Sequence, residues 1–489
     1  MKFGPRRGHV MAIFERFFRD FGLLLAALVL CLFLGDFQLL LENGNLVVLV
    51  LIAPVLRLIQ YLTTRYSIDG ERLIIESGLF QKKRRELPLA NITTVDFTQS
   101  LIFQMAGVYA VHVDTNSSIG SGDSGQVKMV LNGKDAIFVK KLLLARQQDL
   151  REDRISEEIS GNTVMASPGE LVLMGLSRSQ ILIAVQMIAY GSAAVGILDK
   201  IFTRAHIDGD QVLQASLMKL SVPLLVFILL TALYLISVIV SVLLTMVKYY
   251  GFRVTDREES LFIEYGLLTR RTYTLMKEKI SGISYNQPFV MRLLRRGTVE
   301  VFAAGYGGSD ENDEKEIALL YPILRREKLS DFLERFLPEF QDTQEPVKAR
   351  PRAFLWFFLC PRFFFAAVFF FAMWLVPVPY PAVTAGLKGL GTLTLLAAAG
   401  SVVLEFKNTA LAAGEKSFLL IGGGYTKKMV LLKTDKVETI EETASLRKRR
   451  KRRLTDIGVG ILAPKEVANH KVRNLGLEVF ENAREKLVY

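Results

Sequence analysis

The sequence predicts an α+β multi-domain membrane protein, with six transmembrane helices in three hairpins and each hairpin followed by a small β-barrel or sandwich closed by a C-terminal helix. Three observations predict it. One passage occurs twice in clear form, YSIDGERLIIESGLFQKKRRELPLANITTVDFTQSLIF from Tyr66 and YGFRVTDREESLFIEYGLLTRRTYTLMKEKISGISYNQPFV from Tyr250. Gly78 to Gln99 and Gly266 to Gln287 are both 21 positions apart, with Ile92 and Ile280 each 14 past the glycine. Self-similarity of this kind is the mark of a repeated structural unit. Second, paired long apolar runs stand before each copy. Third, 51% of the residues are apolar and the mean hydropathy is +0.29, yet 22% are charged, so apolar and polar blocks must alternate along the 489 residues.

A bilayer crossing needs about 20 mostly apolar residues. Phe21–Leu41 and Leu46–Leu62 meet this as the first pair, joined by the turn-like Glu42-Asn43-Gly44-Asn45. Ile181–Phe202 and Leu220–Val247 form the second pair, and Ala353–Val376 and Ala382–Leu404 the third, joined by the proline-rich Pro377–Pro381. The first run is expected to remain in the protein, since no small-residue cleavage site follows it and a second span comes at once. Lys2, Arg6, Arg7, Arg16 and Arg19 precede the first span, while Arg57, Arg65, Lys248, Arg253, Lys348, Arg350, Arg352 and Lys407 flank the other inner ends. The first and third outer loops carry no basic residue. The excess of Lys and Arg places both termini and all three polar blocks on the cytoplasmic side of the cell membrane.

The expected division is an N-terminal arm and hairpin at 1–63, a first β domain at 64–150, a linker at 151–177, a second hairpin at 178–248, a second β domain at 249–342, a linker and third hairpin at 343–406, and a third domain at 407–489. Within the first β domain, Arg72–Glu76, Arg84–Leu87, Asn91–Thr98, Val108–Val113 and Gln126–Leu131 read as strands from β-branched content and period-two alternation. Lys134–Gln147 reads as an amphipathic helix with Ile137, Phe138, Leu142 and Leu143 toward the core. The second domain repeats this order, with a strand at Glu316–Tyr321 and a helix at Arg326–Phe336. The third is degenerate: Val437 lies 14 past Gly423, matching Ile92 and Ile280, but Ala444 stands where the glutamine is expected. Strands at Phe418–Ile421, Met429–Leu432 and Gly458–Leu462 and a helix at Glu478–Leu487 complete it.

The glycine after the apolar run (Gly78, Gly266), the steps Ile92/Val95 and Ile280/Ile283, Gln99 and Gln287, and the apolar stretch before Gly107 or Gly297 resemble the bacterial pleckstrin-homology-like family (bPH2), formerly a domain of unknown function. In arrangement the chain resembles membrane proteins that carry several such domains. The resemblance implies a PH-like barrel with a C-terminal helix after each hairpin. It implies little about activity, and some members are linked to resistance to membrane-active antimicrobial peptides.

The residues themselves supply no catalytic set. His9, His112, His206 and His470 are scattered, no phosphate-binding loop occurs, and nothing points to a cofactor or metal site. Cys31 and Cys360 lie in apolar runs and read as lipid- or core-facing thiols without a redox role. The positive signal is basic. The net charge is +12 and the pI about 9.5, which favours an anionic partner. Lys82, Lys83, Arg84 and Arg85 in the first unit, Arg270 and Arg271 in the second, and Lys427 and Lys428 in the third fall at corresponding or nearby places, and Arg447, Lys448, Arg449, Arg450, Lys451, Arg452 and Arg453 follow as a run. These are the candidate lipid-binding residues, and anionic membrane lipid the expected partner, with a second membrane protein of the same family as another. A solvated strand face and a topology signal are the plainer readings of the same charges. Nucleic acid is not expected, since no aromatics interleave the run. Arg362 and Lys388 stand inside the third pair of spans, where a charge is either functional or snorkels to an interface. The apolar segments Leu101–Met105 and Phe289–Met291 are expected mainly in a core or against a sibling domain, with insertion into the membrane interface as the alternative. The functional expectation is a non-enzymatic membrane-surface scaffold that supports envelope integrity or antimicrobial-peptide tolerance. The alternatives are a transport or lipid-handling protein with a path through the hairpins, and a subunit whose activity lies in a partner.

Overall fold

The computed structural model describes residues 2–14, 52, 55, 58–79, 81–89, 92–115, 126–148, 162–177, 222–257, 259–303, 318–341, 345–375, 381–444, 453–462 and 467–487. The first unit contains β1 (Lys2–Arg6), β2 (Arg65–Asp69), β3 (Arg72–Ser77) and β4 (Lys83–Pro88). It continues with β5 (Ile92–Gln99), α1 (Leu101–Ala106), β6 (Val108–Thr115), β7 (Gln126–Asn132) and α2 (Gly133–Gln148). The second has β8 (Thr163–Met165), α3 (Pro168–Ser177), α4 (Val222–Tyr249), β9 (Arg253–Arg257), β10 (Ser260–Tyr265) and β11 (Arg270–Met276). Then follow β12 (Ile280–Gln287), α5 (Phe289–Leu293), β13 (Arg296–Ala303), β14 (Ala318–Arg325) and α6 (Leu329–Phe336). The third has β15 (Val347–Lys348), α7 (Phe354–Phe357), α8 (Pro361–Leu375), α9 (Pro381–Asn408), β16 (Ala410–Ala413) and β17 (Ser417–Gly422). It closes with β18 (Lys427–Lys433), β19 (Val437–Thr443), β20 (Leu454–Leu462), β21 (Val467–Gly476) and α10 (Leu477–Glu485).

Each unit therefore contributes a four-stranded antiparallel sheet, a three-stranded one and a closing helix. The second unit shows why it is stable. In β10, Leu261, Ile263 and Tyr265 point inward and alternate with half-buried neighbours. Ile283, Tyr285, Val299 and Val301 answer from the second sheet, and Phe332, Leu333 and Phe336 from α6 seal the end. The two largest fully buried side chains among the described residues have satisfied hydroxyls: Tyr273 donates to the Leu319 carbonyl at 2.7 Å and Tyr285 to the Leu324 carbonyl at 2.9 Å, as burial of a polar group requires.

The sheets do not stop at the unit borders. One seven-stranded sheet runs β7-β6-β5-β11-β10-β9-β8, joining the second half of unit one to the first half of unit two. Another runs β14-β13-β12-β18-β17-β16-β15 and joins units two and three in the same way. A four-stranded sheet, β1-β2-β3-β4, and a three-stranded one, β19-β20-β21, remain at the two ends. The first strand of each four-stranded portion (β1, β8, β15) lies before an apolar segment in sequence and the other three lie after it. Each apolar segment thus interrupts the sequence of a single sheet.

Two expectations are corrected, the unbroken span at Ala353–Val376 and the buried face of the first domain's helix, and the count of six spans falls partly on residues outside the described ones. Among the described residues only Thr231–Tyr249 and Thr384–Asn408 are long and apolar enough to cross a bilayer as single helices. Phe21–Leu41, Ile181–Phe202 and most of Leu46–Leu62 lie outside the described residues. The run expected as one span over Ala353–Val376 is broken into Pro351–Phe357 and Pro361–Leu375, bent by 52°. Pro361 causes the break, because it lacks an N–H and its ring clashes with the carbonyl one turn back. In α2 the buried face is Ala136, Val139 and Leu142, while Ile137 is 56% exposed and Phe138 stacks on Phe3 of the arm at 6.1 Å.

Candidate membrane-surface site

The turn between the third and fourth strands of each four-stranded portion is built on glycine. Gly78, Gly266 and Gly423 have φ of +107°, +108° and +98°, and in each a Cβ would stand 2.0 Å from the carbonyl oxygen three residues on. No other residue type fits there. The third unit thus shares the device of the first two despite its eroded sequence.

In units two and three these turns rest against the helices that carry the apolar runs. Gly266 donates its N–H to the Tyr250 carbonyl at 2.8 Å and Leu267 to the Val247 carbonyl at 3.1 Å, at the end of α4. In unit three the Tyr425 hydroxyl reaches the Ala397 carbonyl of α9 at 2.8 Å, and Asn408 donates to the carbonyls of Gly423 and Gly424 at 2.6 and 3.2 Å. The junctions bring a short helix of the preceding unit to the same place. Gln104 of α1 donates to the Leu268 carbonyl at 3.1 Å. Arg292 of α5 donates to the Gly424 carbonyl at 3.0 Å and to the Asn408 amide oxygen at 2.9 Å, and Phe289 meets Tyr425 edge to face at 5.6 Å.

A rim of exposed apolar side chains surrounds these contacts. Only Phe103 of α1 and Met291 of α5 are buried. Leu101, Ile102 and Met105, and Phe289, Val290 and Leu293, are exposed, Met105 at 85% and Leu293 at 79%; Leu267, Leu268 and Leu294 are exposed beside them, and Leu79 is exposed in the equivalent turn of unit one. The expectation of a core or a sibling domain holds for Phe103 and Met291, which are buried, and for Phe289, which packs on Tyr425 of the next unit. Exposed apolar side chains grouped at each junction are candidates for an interaction surface.

The basic residues border the same rim. Arg270 and Arg271 open β11, and Lys427 and Lys428 open β18, at equivalent positions. Lys82 and Lys83 hold that position in unit one, with Arg84 between Glu76 and Glu86 and Arg85 half-buried. Arg72 and Arg84 hold the Glu86 carboxyl below its usual range against the opposing effect of burial. Sequence reasoning missed Arg292, Arg326 and Lys348, which converge on Lys427 from α5, the end of β14 and β15. Burial pushes the Lys427 ammonium down to about 8, and the fields of Arg326, Arg292 and Lys348 act in the same direction. The sequence held no signal for this cluster, because its members are not adjacent and do not recur. Of the run Arg447–Arg453, only Arg453 is among the described residues; Arg447, Lys448, Arg449, Arg450, Lys451 and Arg452 lie outside them.

The charges of the third hairpin have partners. Arg362, at the start of α8, pairs with Glu405 near the end of α9. Lys388 lies over the Trp374 ring at 5.0 Å. His470 faces the Phe302 ring at 4.8 Å, and burial first and Lys428 second push its imidazole down to about 4. Among the described residues no three His, Cys, Asp or Glu side chains are grouped to hold a metal ion.

The chain is 23% identical over 323 residues to the UPF0699 transmembrane protein YdbT of Bacillus subtilis (strain 168), a match covering 64% of this chain. It spans 63% of that relative's own length. No solved structure matches. The model of the bacterial PH domain (bPH_2) matches twice, at residues 21–147 and 211–336, together just over half of the chain. Repeated sheets, helix-anchored turns and these two matches agree: the chain belongs to the bacterial PH domain family.

Proposed function

We propose that this chain is a non-catalytic scaffold of the cell membrane that holds an array of PH-like domains against the cytoplasmic leaflet, both termini in the cytoplasm, and binds anionic lipid there. The observation that carries the reading is the rim. Exposed Leu, Ile, Met and Phe side chains and flanking Lys and Arg surround turns that rest directly on the ends of apolar helices. Apolar side chains at such a level gain by entering the headgroup region, and each cation beside an anionic leaflet contributes about 1 kcal/mol. Support of envelope integrity or antimicrobial-peptide tolerance is the cellular role we attach to it. A transport path is the weaker reading, since Arg362 and Lys388 already engage Glu405 and Trp374.

The test is depth. The full chain carries a nitroxide at Met105→Cys, at Leu293→Cys or, as a control on the exposed face of α6, at Glu334→Cys, in proteoliposomes with phosphatidylglycerol. The first two labels are expected to be accessible to oxygen and shielded from an aqueous nickel chelate, and the third the reverse. Rim labels as open to nickel as the control would overturn the reading.

Lys427→Met separates binding from stability. Lys427 titrates near 8 in the folded protein against 10.5 in its absence. Between these values the unfolded chain binds more protons, so this group adds stability as pH rises through that window and costs stability below it. At neutral pH the variant is expected to melt no lower than the parent. Its affinity for short-chain phosphatidylglycerol, titrated into the full chain in neutral detergent, is expected to fall about fivefold, the equivalent of one cation. Unchanged affinity would place lipid elsewhere.

A further inference from the structure

The two junctions between units obey one register. Arg270, four past its turn glycine, lies opposite Gln99, and Lys427, four past its own, lies opposite Gln287; each ladder then continues through Leu275 and Leu432. Gln99 and Gln287 are in turn equivalent, each seven past the isoleucine that opens β5 or β12. In both cases the last strand of one unit's four-stranded portion pairs with the first strand of the preceding unit's three-stranded portion.

That rule leaves two strands over. β4 is the counterpart of β11 and β18, and β19 the counterpart of β5 and β12, yet each is outermost in its sheet among the described residues. The other outer strands, β1, β8, β15, β7, β14 and β21, are outermost in every unit. Only β4 and β19 occupy a position that the chain elsewhere fills. Exposure follows the same division: every residue of β12 but Asn286 is buried, whereas β19 has no buried residue and β4 only Leu87.

We propose that β4 of one copy of this chain pairs with β19 of a second copy, in the internal register, so that chains join head to tail. Carried onto these strands, the register sets Lys83 opposite Thr443, Arg84 opposite Glu442, Arg85 opposite Glu441 and Leu87 opposite Thr439. Two opposite-charge pairs result, a feature neither internal junction has. Cross-strand pairs of opposite charge stabilise and like charges opposite each other repel, so β4 to β4 and β19 to β19 contacts are both disfavoured. Pro88, which has no N–H to give, falls beyond the last pair of the ladder. Charged side chains on an outer strand also serve simply to prevent pairing, and that outcome is the one the experiment must separate. The contact is heterologous, so it yields a ring or an open row rather than a two-fold pair. Where the membrane holds every copy the same way up, successive junctions turn about the membrane normal.

The test uses the full chain in membranes, co-expressed with two tags. One copy carries Arg85→Cys and the other Glu441→Cys, residues whose Cβ atoms the register brings within disulfide reach. Oxidation is expected to give a dimer holding both tags, and Arg85→Cys with Glu438→Cys, out of register, much less. Copies with a single introduced cysteine control for Cys31 and Cys360. In a second arm, Arg84→Glu with Arg85→Glu, or Glu441→Lys with Glu442→Lys, is expected to reduce co-purification of the tags about tenfold, and all four together in one chain to restore it. Co-purification indifferent to these reversals, a monomer throughout by light scattering, or cysteines that cross-link only to a different protein would overturn the proposal.

Discussion

Gly266→Ala is expected to lower the stability of the second unit by about 3 kcal/mol, among the largest effects of any single methyl group in the chain. Two penalties combine. The backbone at φ +108° is a conformation that L side chains rarely adopt, and the new Cβ would stand 2.0 Å from the Thr269 carbonyl oxygen. Relief requires the turn to open, and the turn is held to α4 by the N–H groups of Gly266 and Leu267. Strain therefore passes directly into the contact between the β domain and its membrane helix. Gly423→Ala is expected to act alike in unit three, where the turn is held by Asn408 and Tyr425. Gly70 and Gly251 provide the contrast. They also have positive φ, +59° and +64°, but nothing lies within 4 Å of an added Cβ. Asn at either should cost no more than about 1 kcal/mol. Thermal unfolding in detergent, followed by circular dichroism, decides the matter. A shift at Gly266→Ala no greater than at Gly251→Asn would show that the turn is not the constraint described here.

Most strands were legible because their signals are local. Period-two alternation and β-branched content located β3, β6 and β7 within about two residues, and the glycine spacing located the third unit although its glutamine is replaced by Ala444. The short strands β1, β8 and β15 were not, since KFGPR, TVM and VK are too brief to show any period. Pairing across units was hidden for a different reason. Ser281, Gly282 and Ser284 carry no apolar or β-branched signal, yet all lie in β12, covered on one edge by β18. Smallness there is a packing demand: a Cβ on Gly282 would meet Leu432 Cδ2 at 2.6 Å. The rim was half legible. An apolar residue in a connection reads the same whether it faces a core or a bilayer, so Phe103 and Leu101 could not be told apart before the fold separated them. The basic residues were visible at equivalent places because they repeat. Arg292, Arg326 and Lys348 escaped because only the tertiary fold gathers them.

Ser284→Pro should show that the units are joined rather than merely adjacent. Ser284 is fully buried in β12, opposite Glu300 of β13 on one side and Val430 of β18 on the other. Proline has no N–H for a central ladder and leaves a buried carbonyl of a neighbouring strand unpaired, a cost of about 1–3 kcal/mol before any clash of its ring. If β12 belonged to unit two alone, the loss would remain there. Because β18 depends on β12, amide exchange is expected to quicken on the order of a hundredfold in Lys427–Lys433 as well as in Arg296–Ala303. β2 and β3, which lie in another sheet, should be unaffected. Hydrogen-exchange mass spectrometry on the full chain reads all four segments at once. Protection retained in β18 while β13 loses its own would mean that the junction carries no energy. Loss in both means that a disturbance in one unit reaches the next through the backbone ladder itself. An array coupled in that way has little freedom to hinge, and the helices it holds, α4 and α9 among them, keep a fixed spacing. That rigidity suits a platform laid on a membrane, and it is why an additional junction between copies would extend the same platform rather than tether a separate one.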